Sequence, residues 1–258
     1  MHIRSLMMVF RTFLLLWVLL SAHGLYAQAL LPAPGTWYVT APSGINLRKS
    51  PGATGEKLVS IPYGQQVEVL KTDQLEPDQI ETWIEGYWVK VKYQSSVGYV
   101  FSAYLCKIPA PQVSISADYC QEESILMGFS YLLHDYAEKH LKPLGASRIL
   151  YSNGVTELGY AETSRQSYSM DVELVHEQQY ESASSTLRFT GDVYQAYSFL
   201  EALVRNCPGM KSKIQNPDIQ RDSNSFIFYL QDPESQGFYF RISQIDGATV
   251  QIRMQSGA

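Results

Sequence analysis

Residues 40–105 constrain the fold of this 258-residue chain more than any other part. Apolar and polar residues alternate there in short runs, and glycine or proline separates one run from the next. A period of two places successive side chains on opposite faces of a strand, while Gly and Pro favour the turns between strands. The pattern therefore predicts a small antiparallel β-barrel in which one face of each strand is buried.

Six strands and a closing helical turn at residues 102–105 are predicted in this part of the chain. The dipeptides Pro51-Gly52 and Tyr63-Gly64 have the residue types that turns require. The predicted strands lie at residues 36–40, 44–47, 57–61, 65–71, 87–92 and 97–101. We place the barrel as a whole at residues 36–106.

The same stretch resembles the bacterial SH3-type domain in the order and spacing of its motifs. The shared motifs are Asn-apolar-Arg-x-x-Pro, a Gly before the central strand, Trp-x-x-Val, and Gly-aromatic-Val followed by an aromatic–Leu pair. The matching residues are Asn46, Arg48, Pro51, Gly64, Trp88, Val91, Gly98, Tyr99, Val100, Tyr104 and Leu105. The resemblance implies a binding module, since family members are commonly attached to envelope enzymes and some bind peptidoglycan peptides.

Aromatic side chains in this stretch are the candidates for a shallow groove that holds a peptide. They are Tyr63, Trp83, Tyr87, Tyr99 and Tyr104. The alternative for each is packing in or on the barrel, which is the role we assign to Trp88 and Val91. We expect Arg48 to hold loop carbonyls rather than a ligand.

An insertion at residues 71–87 departs from the family pattern, because the family commonly has a tight connection there. It is acidic and carries Trp83. It is either a binding loop that presents this tryptophan or an extended hairpin that covers the barrel.

The N-terminus has the pattern of an export signal at residues 1–27. Arg4 and Arg11 precede an apolar run at residues 13–20, and small residues follow, so cleavage is predicted after Ala27 or Ala29. A permanent anchor would need about 20 apolar residues, which is more than this run offers. We therefore expect a periplasmic or secreted protein with no stable membrane span after cleavage.

Beyond a Pro-marked linker at residues 107–117, residues 118–258 predict an α+β domain. A helix reaches Lys142, a second begins at Asp192, and Asn153-Gly154 and Asp246-Gly247 predict hairpin turns. The expected architecture is an antiparallel sheet with two helices on one face. The predicted strands lie at residues 147–151, 155–162, 167–177, 184–190, 226–230, 237–245 and 248–254.

Three cysteines are present, at positions 106, 120 and 207. Cys120 precedes the first predicted helix and Cys207 ends the second, so antiparallel packing of the helices predicts a disulfide between them. An oxidising compartment permits such a bond.

The charge distribution disfavours nucleic acid as a partner. The formal net charge is −5, and residues 110–258 carry eleven basic and eighteen acidic side chains with no clustered basic face. The sequence also lacks a phosphate loop, a dinucleotide fingerprint and a pair of histidines at metal-ligand spacing. We expect no cofactor and no metal.

The sequence therefore favours a non-enzymatic protein that binds a peptide, a cell-wall component or an envelope protein. Two alternatives stay open. One is an envelope hydrolase that uses Cys120, and the other is an inert scaffold subunit of an envelope complex.

Overall fold

A computed structural model of the protein describes residues 29–71, 77–80, 84–112, 131–156, 159–180, 182–205, 225–229 and 239–257. The predicted export signal, Trp83, Cys120 and Cys207 lie outside these residues.

The N-terminal β domain has strands close to those predicted, because the alternating apolar positions face one shared core. Trp37, Leu47, Val91 and Val100 are among its buried residues. The elements are β1 Gly35–Val39, β2 Ile45–Arg48, β3 Lys57–Ile61, β4 Gln66–Val69, β5 Asp78–Ile80, β6 Ile84–Gly86, β7 Trp88–Tyr93, β8 Ser96–Phe101, a 3-10 turn Ser102–Tyr104 and β9 Leu105–Cys106.

The main sheet of this domain is SH3-like but is not a closed barrel, which corrects the prediction. Its seven strands pair in the order β3-β2-β8-β7-β4-β1-β9. Strands β3 and β9 are the outermost, and no pairing joins them within the described residues. Strand β9 has only two residues, which offers very few backbone groups for a further ladder.

The described part of the acidic insertion forms a hairpin, as the second interpretation proposed. Strands β5 and β6 pair in antiparallel register, with Ile80 opposite Ile84. Asp78 Oδ2 accepts a hydrogen bond of 2.7 Å from Trp88 Nε1, which fixes the hairpin to the start of β7.

The C-terminal domain is an antiparallel sheet with two helices, as predicted. Helix α1 contacts β12 and β13, and helix α2 contacts β15 and β16. The seven strands pair in the order β10-β11-β12-β13-β16-β15-β14. The elements are α1 Leu132–His140, β10 Arg148–Thr156, β11 Gly159–Tyr168, β12 Val172–Gln179, β13 Ser182–Thr190, α2 Val193–Val204, β14 Ser225–Tyr229, β15 Tyr239–Gln244 and β16 Thr249–Gly257.

One predicted hairpin turn is wrong and one is confirmed. Asn153 and Gly154 lie inside β10, where the register shifts and Gly154 has a φ of 66°. A tight hairpin turn places its glycine in the left-handed backbone conformation, and a G1-type bulge does the same. The Asn-Gly dipeptide is therefore compatible with either structure. Asp246 and Gly247 do connect β15 to β16, and Asp246 Oδ1 accepts hydrogen bonds from two following backbone N–H groups.

Helix α2 begins where the sequence predicts, at a capping box. Asp192 Oδ1 accepts the backbone N–H groups of Tyr194 and Gln195, each at 2.9 Å. Gln195 Oε1 accepts the backbone N–H of Asp192 at 3.2 Å. These contacts satisfy N–H groups that have no partner within the helix.

Helix α2 is buried on all sides because the two domains share it. One face packs on the C-terminal sheet, where the Tyr197 and Phe228 rings stack with centroids 5.7 Å apart. The opposite face lies against the 3-10 turn, β6 and β9 of the N-terminal domain. On that side Ser198 Oγ lies 2.9 Å from Thr40 Oγ1, and both residues are buried.

Candidate binding groove at the domain junction

A groove of about 410 Å³ lies where the N-terminal domain meets helix α2. Residues 41–46 form one wall, and Ala53 and Arg48 extend it. Glu201 of helix α2 contributes the side that belongs to the C-terminal domain. The N-terminal domain therefore supplies most of the lining residues, and helix α2 adds Glu201 to them.

Three aromatic residues, Trp88, Phe101 and Tyr104, are among those that line this groove. The ring centroids of Trp88 and Phe101 lie 5.6 Å apart, and those of Phe101 and Tyr104 lie 5.9 Å apart. Trp88 and Phe101 are buried in the core cluster that spans both domains, while Tyr104 is half-buried. Tilted pairs at these distances are favourable and hold the rings in fixed orientations.

The Asn-apolar-Arg-x-x-Pro motif builds the loop beside the groove. Arg48 Nη1 donates a hydrogen bond of 2.6 Å to the carbonyl of Gly55, which is the contact that a loop-holding role requires. Asn46 Oδ1 accepts a hydrogen bond from Ser60 Oγ at 3.1 Å. Gly98 lies so close to the carbonyl of Arg48 that a Cβ atom at position 98 would collide with it. This close approach explains why the motif has a glycine at that position.

The four described aromatic residues among those predicted to bind do not form one surface. Tyr104 lines the groove, whereas Tyr87 and Tyr99 are half-buried against the core cluster shared by the domains. Trp83 lies outside the described residues.

Tyr63 lies away from the groove and joins the two domains. Its hydroxyl donates to the carbonyl of Pro111, and the guanidinium of Arg205 lies 4.1 Å from the ring centroid. Burial raises the pKa of Tyr63 to about 12. This phenol therefore acts as a packed hydrogen-bond donor at the junction.

The groove also contains charges that the sequence analysis missed. Glu201 brings a carboxylate from the second domain, while Arg48 brings a guanidinium from the first. The sequence signal for Glu201 was an acidic residue within a predicted helix whose other residues are mostly apolar. Its position against the N-terminal domain depended on packing between distant parts of the chain.

A serine–histidine contact on the C-terminal sheet does not provide a nucleophile. His176 Nδ1 lies 2.9 Å from Ser185 Oγ, and burial lowers the pKa of this histidine. Ser185 is fully buried, so a substrate has no access to its hydroxyl oxygen. The pair is a hydrogen bond across neighbouring strands β12 and β13.

Cys106 is buried with a free thiol, and burial raises its pKa to about 12, so its thiolate is not available. No group of three or more His, Cys, Asp or Glu side chains is placed to hold a metal ion within the described part of the chain. The same residues include no helix that combines the length and apolar character needed to cross a membrane.

The curved antiparallel sheet, its arginine-held loop and the adjoining groove define the N-terminal part as an SH3-like binding domain. Residues 43–105 match the family model of the bacterial SH3 domain, which confirms the resemblance seen in the sequence. A match to this family indicates that residues 43–105 form a binding module. Modules of this family are often related to cell walls. No curated protein and no solved structure matches the chain.

Proposed function

We propose that this is an exported, non-enzymatic protein that binds a peptide or another cell-envelope component, peptidoglycan included, in the groove at the domain junction. The groove itself is the observation that supports the proposal. Its volume of about 410 Å³ lies within the range of roughly 300–1,000 Å³ typical of ligand sites.

The chemistry of the groove suits a peptide. The half-buried side chains of Ile45, Ile80 and Tyr104 line it with apolar area, and Arg48 and Glu201 place one charge of each sign along it. A peptide presents apolar side chains together with ammonium and carboxylate groups, so it complements each of these features.

The proposal is tested by filling the groove from an exposed position. Ala53 is exposed on the groove wall, so Ala53→Trp obstructs the site without disturbing the core. Ala146→Trp is the matched control, because Ala146 is also exposed but lies on the C-terminal domain.

Binding is measured by cosedimentation with purified cell wall and by calorimetry with soluble wall peptides. We expect Ala53→Trp to weaken binding at least about ten-fold, which corresponds to about 1.4 kcal/mol, and Ala146→Trp to bind as the original chain does. Equal binding by both variants contradicts the groove as the site.

A structural role within an envelope complex is the second candidate function. It is supported by helix α2, which covers a face of the SH3-like domain that a partner would otherwise reach. Deleting the SH3-like domain would uncover this buried helix, so the deletion cannot separate the two functions. If the intact chain binds neither cell wall nor wall peptides, the structural role is favoured.

A further inference from the structure

The backbone nitrogen of Leu30 lies 2.6 Å from Asp192 Oδ2 at the start of helix α2. Asp192 is only 1% exposed, and its other carboxylate oxygen caps the helix. Leu30, which follows a predicted cleavage site, is thus hydrogen-bonded to a buried carboxylate at the domain junction.

Among the described residues, backbone N–H groups and not a cationic side chain hold the Asp192 carboxylate. The pKa of Asp192 is raised to about 6, chiefly by burial; backbone hydrogen bonds act to lower this pKa, and the nearby Glu85 carboxylate acts to raise it. The other titratable group that faces it is the buried thiol of Cys106. Within the described residues, the interactions that set this pKa include no lysine, arginine or histidine. A buried carboxylate without a counter-charge is costly, and a cation that also donates a hydrogen bond to it offsets part of that cost.

Processing of the chain supplies such a cation at the required position. Ala27 and Ala29 have the small-x-small spacing of a signal cleavage site, and the bond that follows Ala29 ends at the Leu30 nitrogen. We propose that hydrolysis of the Ala29–Leu30 bond converts this nitrogen into an α-ammonium group, which forms a buried ion pair with Asp192 and fastens the new N-terminus to the domain junction.

The reaction is a peptide hydrolysis by a signal peptidase. Water adds across the C–N bond, so that Ala29 leaves with a new carboxylate and Leu30 retains an amine, which takes up a proton. Ala29 is 7% exposed in the folded chain, so cleavage takes place before folding. Because cleavage removes Ala29, the core of the folded protein loses one methyl side chain. A methyl group is the smallest apolar side chain that a core can lose.

Chains with the two N-termini should lose stability in different pH ranges. In a chain that begins at Gln28, the Leu30 nitrogen is an amide, and the raised pKa of Asp192 applies. The stability from protonated Asp192 is then complete below the ordinary pKa of about 4 and is lost as the pH rises through about 6.

In a chain that begins at Leu30, the α-ammonium keeps Asp192 ionised, so this loss between pH 4 and 6 disappears. The ion pair raises the α-amino pKa above its ordinary value of about 8. Its stabilisation is complete below that value and is lost as the pH rises through the raised pKa.

The test compares chains that begin at Leu30 and at Gln28, each prepared by removing an N-terminal tag in vitro. Asp192→Asn is made in both chains, because Asn still caps a helix but carries no charge. The reactivity of the α-amine towards an acylating reagent is measured at pH 7.5 in native and urea-unfolded protein. Thermal unfolding is followed from pH 4 to pH 9, and the N-terminus of the exported protein is determined by mass spectrometry.

We expect the exported protein to begin at Leu30, and its native amine to react at least about ten-fold more slowly than the unfolded amine, which is one pKa unit. Asp192→Asn should abolish this difference, and the Gln28 chain should show none. An exported N-terminus at Gln28 overturns the processing site. Equal native and unfolded reactivity in the Leu30 chain overturns the ion pair.

The inference rests on the export included in the proposed function but not on ligand binding. Loss of binding in the groove variant leaves the ion pair standing. A normally reactive Leu30 amine likewise leaves the groove standing.

Discussion

The buried hydroxyl pair between Thr40 and Ser198 offers a direct measurement of how strongly the two domains are coupled. Thr40 follows β1 of the SH3-like domain, Ser198 lies in helix α2, and their oxygens are 2.9 Å apart. Both side chains are at most 2% exposed, so neither hydroxyl can exchange its partner for bulk water. We consider Thr40→Val, Ser198→Ala and the double variant.

Each single substitution removes one hydroxyl and leaves the other buried without its partner. This costs about 1–3 kcal/mol per variant, because an unsatisfied buried polar group retains its full desolvation penalty. The double variant removes both groups and should lose only the net value of a neutral hydrogen bond, about 0.5–1.5 kcal/mol. The double variant should therefore be more stable than the sum of the single effects predicts, by at least about 0.5 kcal/mol.

Urea unfolding supplies the free energies, followed by tryptophan fluorescence and far-ultraviolet circular dichroism. Trp37 reports the core of the SH3-like domain, and Trp88 reports the core shared by both domains. A single transition with the same midpoint for both signals should accompany the coupling. Additive single effects, with two separate transitions, would refute the shared-core packing.

Two further predictions concern the motif loop and the junction. Gly98→Ala should destabilise the chain by about 1–3 kcal/mol in urea unfolding, because its Cβ would meet the Arg48 carbonyl, whereas Gly247→Ala, where a Cβ has open space, should change stability little. Arg205→Ala should cost ~0.5–1 kcal/mol through loss of the cation–π contact with Tyr63, and Arg205→Lys should retain part of it; equal losses would contradict that contact.

The strands of the SH3-like domain could be predicted from the sequence because their pattern is local. The predicted strands carry alternating apolar residues. Strand β3, for example, was predicted with its observed ends at Lys57 and Ile61. Closure of a sheet into a barrel depends on contacts between strands that are far apart in the chain. The prediction that this sheet closes into a barrel was wrong. The Asn153-Gly154 hairpin failed for a different reason, because the same backbone conformation serves a turn and a bulge.

The start of helix α2 was predictable from its capping residues, but its surroundings were not. Its apolar positions, such as Leu200 and Leu203, indicate a face that packs on a sheet. Its other face carries Gln195, Ser198 and Glu201, which periodicity alone would assign to solvent. That face instead meets the SH3-like domain, where Ser198 bonds to Thr40 and Gln195 Nε2 reaches the carbonyl of Ser102 at 3.4 Å.

This polar face contributes to both the domain junction and the proposed binding groove. Residues that look solvent-facing in the sequence satisfy buried partners of the other domain, and Glu201 from the same face enters the groove. The SH3-like domain alone would keep Arg48 and Tyr104 but would lose the carboxylate opposite them. A ligand that uses both charges would stabilise the junction, because it binds only when the domains are docked. The SH3-like domain therefore supplies most of the candidate site, and helix α2 adds one carboxylate to it.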